Sequence, residues 1–513
     1  AFAVCTCLVH LKENKQEIIR WSPYQKLILS PRMGNGELLA YDLTTNDAWY
    51  QQIIDLSDRF VSRHQDLFKD VPLKYNAYNL PYLFYPNPPS VLILGSGMGN
   101  DVAASLRNNA NRVVAVEIDP LIYELGKELH FEQPYASERV KFVLDDARSY
   151  VERSQDRFDL IVFSLLDSHT TSSHFSNIRI DNYVYTLEAL NAAKSLLKPD
   201  GIFIIKFQVD TPWIAGRLHD LLTRVFEFEP IQLEAEPSFT TSGRFFITGS
   251  RKRLAQILAN SEIANYVQRR GTVRVQKASL TTDDWPYFYQ QSPGVPASVI
   301  VISTALGFLC WQLIRKLGLT RGRIHWHFFF LGAAFLLLEV QIISKMALLF
   351  GTTWIVNSIV IGGLLTLIVV ANFLVSLNPG FSRETAYIGL WISIGISYLI
   401  PMRFYFFDSV WLKALAATLV LCLPVFFAGI IFIQSFSKFG FSGEALGSNL
   451  MGAILGGLLE SLSYWTGLKS LVIFAACFYL ASYVSRFSIF SASSAELPNY
   501  PKGILGKLVG RSR

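Results

Sequence analysis

The chain has 513 residues, of which 51% are hydrophobic and 17% charged, with a mean hydropathy of +0.30; an ordinary soluble domain carries about 25% charged residues. The formal charge of +6 is unevenly spread: residues 1–294 hold 31 Lys+Arg against 34 Asp+Glu, residues 295–490 hold 11 against 5, and residues 491–513 hold 4 against 1. The slightly acidic first part excludes a nucleic-acid reading of the basic balance, and 14% aromatic residues exclude disorder.

No secretory signal opens the chain, and it begins at Ala1 rather than Met, so an upstream segment is expected. Cys5 and Cys7 read as one face of a strand; Cys310, Cys422 and Cys477 lie in apolar runs, and the five together read as structural, with no metal site expected. Residues 1–80 read as a β-strand and helix region: Ile18 to Leu29 alternates, Pro31 to Gly36 is turn chemistry, and Trp49 to Phe68 has helical periodicity. Pro81, Pro86, Pro88 and Pro89 mark its end.

Residues 81–250 read as alternating strands and helices. Val91-Leu92-Ile93-Leu94 is a continuous apolar strand of the kind found in a parallel sheet covered on both faces. It runs into Gly95-Ser96-Gly97-Met98-Gly99, a turn that permits positive φ and close backbone approach to a ligand. A second strand, Val113–Val116, ends in Glu117-Ile118-Asp119, with Glu117 22 residues beyond Gly95. That is the spacing of an acid that accepts ribose hydroxyl hydrogens, about 20 residues on. A third strand ends at Asp145-Asp146-Ala147, a fourth at Ser164-Leu165-Leu166-Asp167, and a fifth is Gly201–Ile205. The pattern predicts an α/β Rossmann-like, doubly wound sheet with its ligand at the strand C-terminal ends.

This glycine–acid–acid series resembles the class I S-adenosylmethionine-dependent transferases, a likeness that implies Asp146, with Asp145 beside it, contacts the adenine amino group. Trp21-Ser22-Pro23-Tyr24-Gln25-Lys26-Leu27 resembles a segment of the spermidine synthases, the aminopropyltransferases, and the similarity covers roughly residues 18–250. The resemblance implies S-adenosylmethionine or decarboxylated S-adenosylmethionine as co-substrate, bound by Gln25, Gly95, Gly97, Gly99, Glu117, Asp145 and Asp146. The family's D-x-x-D-P segment, which supplies the base and holds the cationic acceptor, aligns with Ser164-Leu165-Leu166-Asp167-Ser168. Ser164 replaces the first acid; Asp167 keeps the second and is the expected catalytic or acceptor-binding residue. His169, His174 and Asp181 follow in a polar loop, where a His pair beside an acid serves as a base, binds a metal or is simply solvated. Thr282–Tyr289 and Phe335–Glu339 resemble the membrane-fused spermidine synthase-like proteins of bacteria, some of which carry further spans ahead of the synthase domain.

Residues 251–294 read as linker and lid, with Asp283, Asp284 and Trp285 as lid or hinge. From Val295 the composition changes. Apolar runs of about 20 residues, the length that crosses a bilayer, lie near 295–314, 328–350, 354–376, 386–403, 410–434, 444–465 and 468–490. The expectation is an all-α polytopic membrane domain of about seven helices over 295–490, with a basic tail over 491–513. Glu339, Gln341, Lys345, Glu444, Asn449 and Glu460 lie in or beside these runs and read as interhelical hydrogen bonding or as a polar path. Gly452-x-x-x-Gly456 permits close helix approach. The cofactor argues for a cytoplasmic soluble domain on a bacterial inner membrane; the positive-inside rule, applied to Arg315–Arg323 and the tail, argues the reverse.

The sequence therefore points to a membrane-anchored spermidine synthase-like transferase acting on an amine or membrane-derived acceptor. The alternatives are a methyltransferase on the same fold and an inactive synthase-like subunit of a membrane complex; a homo-oligomer is a further possible assembly, and no nucleic-acid partner is expected.

Overall fold

A computed structural model describes residues 17–492, apart from 47, 70, 165, 167–182, 210, 237–238, 240–242, 272–275, 317–323, 351–353, 379, 406, 408 and 440–441. Cys5, Cys7, Asp167, His169, His174, Asp181 and the tail from 493 lie outside the described residues.

The chain opens with an antiparallel sheet of four strands, β1 (Ile18–Trp21), β2 (Lys26–Gly34), β3 (Glu37–Thr45) and β4 (Ala48–Ile54). The helix expected from Trp49 is a strand as far as Ile54, because this segment pairs with β3, Ile53 opposite Tyr41 and Ile54 opposite Ala40. Helical turns start only at Asp58, capped by Ser57.

A seven-stranded sheet follows, built from β5 (Ser90–Leu94), β6 (Arg112–Glu117), β7 (Val140–Leu144), β8 (Phe158–Phe163), β9 (Leu197–Phe207), β10 (Ile231–Glu234) and β11 (Arg244–Gly249). Its order is β10-β11-β9-β8-β5-β6-β7, with the five from β9 to β7 parallel and β10 and β11 antiparallel additions at one edge. The continuous apolar strands feed two cores by their period of two. Leu92, Leu94, Val114 and Val116 face one layer with Phe163 and Phe203; Val91, Ile93, Val113 and Ala115 face the other with Leu160 and Ile202.

Residues 251–270, read as linker, form two helices, Arg251–Leu258 and Ser261–Arg270, that bury Leu254 and Tyr266 in the second core. The segment beyond them is clamped. Arg217, fully buried, donates from its guanidinium to the carbonyls of Ser279, Tyr287, Phe288, Gln290 and Gln291. Asp283 accepts from Arg148 and from Thr186, both at 2.7 Å. Asp284 accepts from the Lys469 backbone N–H at 2.7 Å, and the Trp285 indole N–H donates to the Tyr464 carbonyl at 2.8 Å. Residues 279–289 thus join the α/β unit to the C-terminal helices.

Those helices run Ala297–Lys316, Trp326–Phe350, Trp354–Leu377, Arg383–Leu399, Val410–Leu421, Leu423–Ser437, Ser442–Leu459 and Lys469–Ala492. Among the described residues three stretches are long and apolar enough to cross a membrane, Trp326–Phe350, Val360–Leu377 and Ser442–Thr466, against the seven expected. The run at 410–434 is not one continuous helix: it breaks at Cys422 and bends by 45°, with Pro424, which has no N–H to continue a helix, in the first turn of the next segment; as a pair the two make up a fourth candidate span.

Gly452 and Gly456 pack directly on the backbone of helix 326–350: a Cβ on Gly452 would strike the Phe329 carbonyl, and one on Gly456 the Ala333 carbonyl. Gly452→Val is therefore expected to cost about 2 kcal/mol or more, read as a lower unfolding midpoint of the detergent-solubilised protein; an unchanged midpoint would refute this close packing. Of the polar residues flagged here, Asn449 donates to the Phe328 carbonyl at 3.1 Å and Lys345 to Ser397, both across helices.

Candidate functional site

Hydrogen bonds just past the strand ends hold the loops at one edge of the sheet. The Gly95 and Ser96 N–H groups both donate to the Val116 carbonyl at 2.9 Å, Asp145 N–H to Glu117 at 3.1 Å, and Ser164 N–H to Leu94 at 3.0 Å. The loops after β5, β6, β7 and β8 therefore converge, as parallel topology requires.

Gly97 (φ +55°) and Gly99 (φ +107°) take the left-handed backbone that this turn needs. The turn aims the Gly97 N–H at Glu117, which accepts it at 2.9 Å; Glu117 also accepts from Ile118 at 2.9 Å and Asp119 at 3.0 Å. Burial pushes the Glu117 carboxyl above its ordinary value against the pull of these three donors. An ionised carboxylate has about four acceptor positions; Oε1 takes two of these donors and Oε2 one, so a position remains on Oε2, and Glu117 lines a crevice.

The same crevice is lined by Gln25, Gly95, Asp145 and Asp146, together with Tyr24, Tyr50 and Asp119. Ser22 builds the turn between β1 and β2 by accepting from the N–H groups of Tyr24 and Gln25 at 3.1 Å each, which carries both side chains over the sheet edge. Asp146 caps helix Ala147–Arg153 by accepting from the Ser149 N–H at 2.9 Å, and Asp145 is bound by Arg153 at 2.9 Å. Burial raises the Tyr24 phenol to about 12, with the carboxylates Asp119, Asp146, Glu117 and Asp145 adding to it.

Burial raises the Asp146 carboxyl to about 6. A raised acid pKa means that the folded state holds the proton more tightly than the unfolded chain does. Its ionisation cost is absent below about pH 4 and complete above about pH 6. Asp146→Asn should remove a stability decline of up to about 3 kcal/mol across that window, seen as a flatter pH profile of the unfolding midpoint; an unaltered profile would contradict it.

Six of the eight residues that the sequence singles out stand at this sheet edge on the crevice or the pocket beside it: Gln25, Gly95, Glu117, Asp145 and Asp146 on the crevice, and Gly97 on the adjoining pocket. Gly99 is on neither. A Cβ there would press on Pro134 and Tyr135, so this glycine serves the packing of the loop. Asp167 is outside the described residues. Sequence reasoning missed Tyr24, Tyr50 and Asp119 on the crevice, of which Asp119 had a signal in the strand-end acid pair. It also missed a buried ion pair between Asp101 and Lys206, with the Ser164 hydroxyl donating to the same Asp101 carboxylate. Lys206 is 105 residues from Asp101 in sequence and carried no local signal.

Comparison with known proteins places residues 76–245 in the spermine/spermidine synthase domain family. A polyamine aminopropyltransferase of Thermoanaerobacter is 27% identical over 279 residues, spanning 53% of this chain and 90% of that one. The polyamine aminopropyltransferase of Pyrobaculum calidifontis is 26% identical over 276 residues, spanning 51% and 84%. Among solved structures, the spermidine synthase of Thermotoga maritima matches 48% of this chain and 78% of its own at 17% identity, with a TM-score of 0.34.

Proposed function

Because residues 76–245 are a spermine/spermidine synthase domain, we propose that the protein is a membrane-anchored transferase that holds S-adenosylmethionine or its decarboxylated form in the crevice and alkylates an amine acceptor. The observation that carries this reading is the convergence of Gln25, Glu117 and Asp146 on one crevice at the carboxyl ends of β5, β6 and β7. Glu117 has an acceptor position left for a ribose hydroxyl, and Asp146 lines the wall where an adenine would lie. In the reaction the acceptor nitrogen attacks a carbon bonded to the sulfonium. A C–N bond forms, the C–S bond breaks with its electron pair passing to sulfur, the thioether nucleoside leaves, and the nitrogen sheds a proton to a base. Orientation supplies most of the acceleration. Asp167 is assigned to the acceptor side.

The membrane assignment is supported by apolar side chains left outward on the C-terminal helices, among them Val301, Val369, Phe373, Ile392, Leu450 and Val484, each more than half exposed. Such a belt is disfavoured in water. The cofactor favours a cytoplasmic α/β domain, which protease accessibility in sealed vesicles checks. Calorimetric titration of the full chain in detergent with both nucleosides tests the reading: folded protein that gives heat with neither refutes it. The mass of the modified acceptor then separates aminopropyl from methyl transfer.

A further inference from the structure

Beside the crevice lies a second pocket that shares Tyr50 and Gly95 with it. We infer that this pocket takes a carboxylate-bearing group and rejects an ammonium chain, an inference that rests on the nucleoside reading of the crevice.

Among the described residues its charged lining is one buried pair, Asp101 and Lys206, exposed by 5% and 4%. Both Asp101 oxygens are engaged, Oδ1 by the Lys206 ammonium and Oδ2 by the Ser164 hydroxyl. Asp101 also stands in the first turn of helix Asn100–Arg107, whose N-terminal partial positive charge offsets it further. Of the three aromatic rings that line the pocket, Tyr50, Tyr78 and Phe245, two already carry Lys206 Nζ, at 5.1 Å from the Tyr78 and 5.7 Å from the Phe245 ring centroid.

What the pocket offers instead is donors. The buried Gln51 Nε2 has no hydrogen-bond partner, and an ammonium such as that of Lys206 has three N–H groups, of which Asp101 takes one. A second ammonium would bring like charge and more donors; a carboxylate brings the acceptors that these groups lack. That carboxylate belongs either to the amino-acid end of S-adenosylmethionine or to the acceptor.

The test is calorimetry on the full chain in detergent with S-adenosylhomocysteine and its decarboxylated counterpart. Binding about tenfold tighter or more for the first, lost in Lys206→Met, puts the carboxylate on the donor. If the two bind equally, 4-aminobutyrate and putrescine are titrated with the decarboxylated nucleoside saturating, and a preference of about tenfold for 4-aminobutyrate puts it on the acceptor. Should Lys206→Met fail to fold, Gln51→Ala, which leaves the ion pair intact, must cost part of the preference. A wild-type protein that binds both nucleosides and prefers putrescine, or shows no preference in either arm, overturns this inference alone. Failure of both nucleosides to bind overturns the crevice reading, and this one with it.

Discussion

Replacement of Arg217 by methionine is expected to destabilise the protein by about 3–5 kcal/mol, the largest single loss we anticipate. Its guanidinium meets five carbonyls of one chain segment, at 2.6 Å for Ser279 and Gln290, 3.0 Å for Gln291, 3.4 Å for Tyr287, and with a further bond to Phe288. A guanidinium has five N–H donors in a fixed fork, so each donor finds one acceptor. Methionine has no donor: it leaves the buried Phe288 carbonyl unpaired and takes the charged donor from the part-buried bonds to Ser279, Tyr287, Gln290 and Gln291. Lysine, a point charge without the fork, should recover only part of the loss. Burial lowers the arginine to about 10, which still leaves it charged at neutral pH. Trp213 and Trp285 lie 5.2 and 5.4 Å from the guanidinium carbon, so indole fluorescence reports on the site directly. Thermal unfolding that shows a cost below about 1 kcal/mol would mean that the segment is held by other contacts.

Glu117→Gln is expected to weaken nucleoside binding by about 30-fold, roughly 2 kcal/mol. The carboxylate orders the glycine turn through Gly97 and, in the proposed reading, gives its remaining acceptor position to the ligand of the crevice it lines. A glutamine keeps the shape but has one oxygen in place of two, so it cannot accept all three backbone N–H groups. The two roles are separable. Lost turn order shows as a lower unfolding midpoint without ligand, whereas a lost ligand contact shows as less stabilisation on adding nucleoside. Full retention of ligand stabilisation would place the ribose elsewhere.

The α/β half was legible because its signals are local and strong. Four fully apolar strand cores, a glycine turn and acids at strand ends are set by neighbours within about 20 residues, and a parallel sheet leaves such elements one way to stack. The small sheet was less so. Trp49–Ile54 reads as helical by periodicity, yet edge pairing with β3 decided for strand, and no short-range pattern records that partner. The C-terminal half was legible in composition but not in its breaks: the run at 410–434 is apolar on both sides of Cys422, and its 45° bend shows only in the folded chain.

By itself, then, the sequence determined the layers, the strand-end acids Glu117 and Asp146 of the crevice, and the apolar character of the C-terminal helices, since each is written in residue type and spacing along one stretch of chain. Only the tertiary structure decided that Gly99 serves packing, that Arg217 holds residues 279–291, and that Lys206 neutralises Asp101 beside the crevice. Those contacts join residues 35 to 105 positions apart, and the energy of a buried charge depends on what folding brings against it, which spacing does not encode.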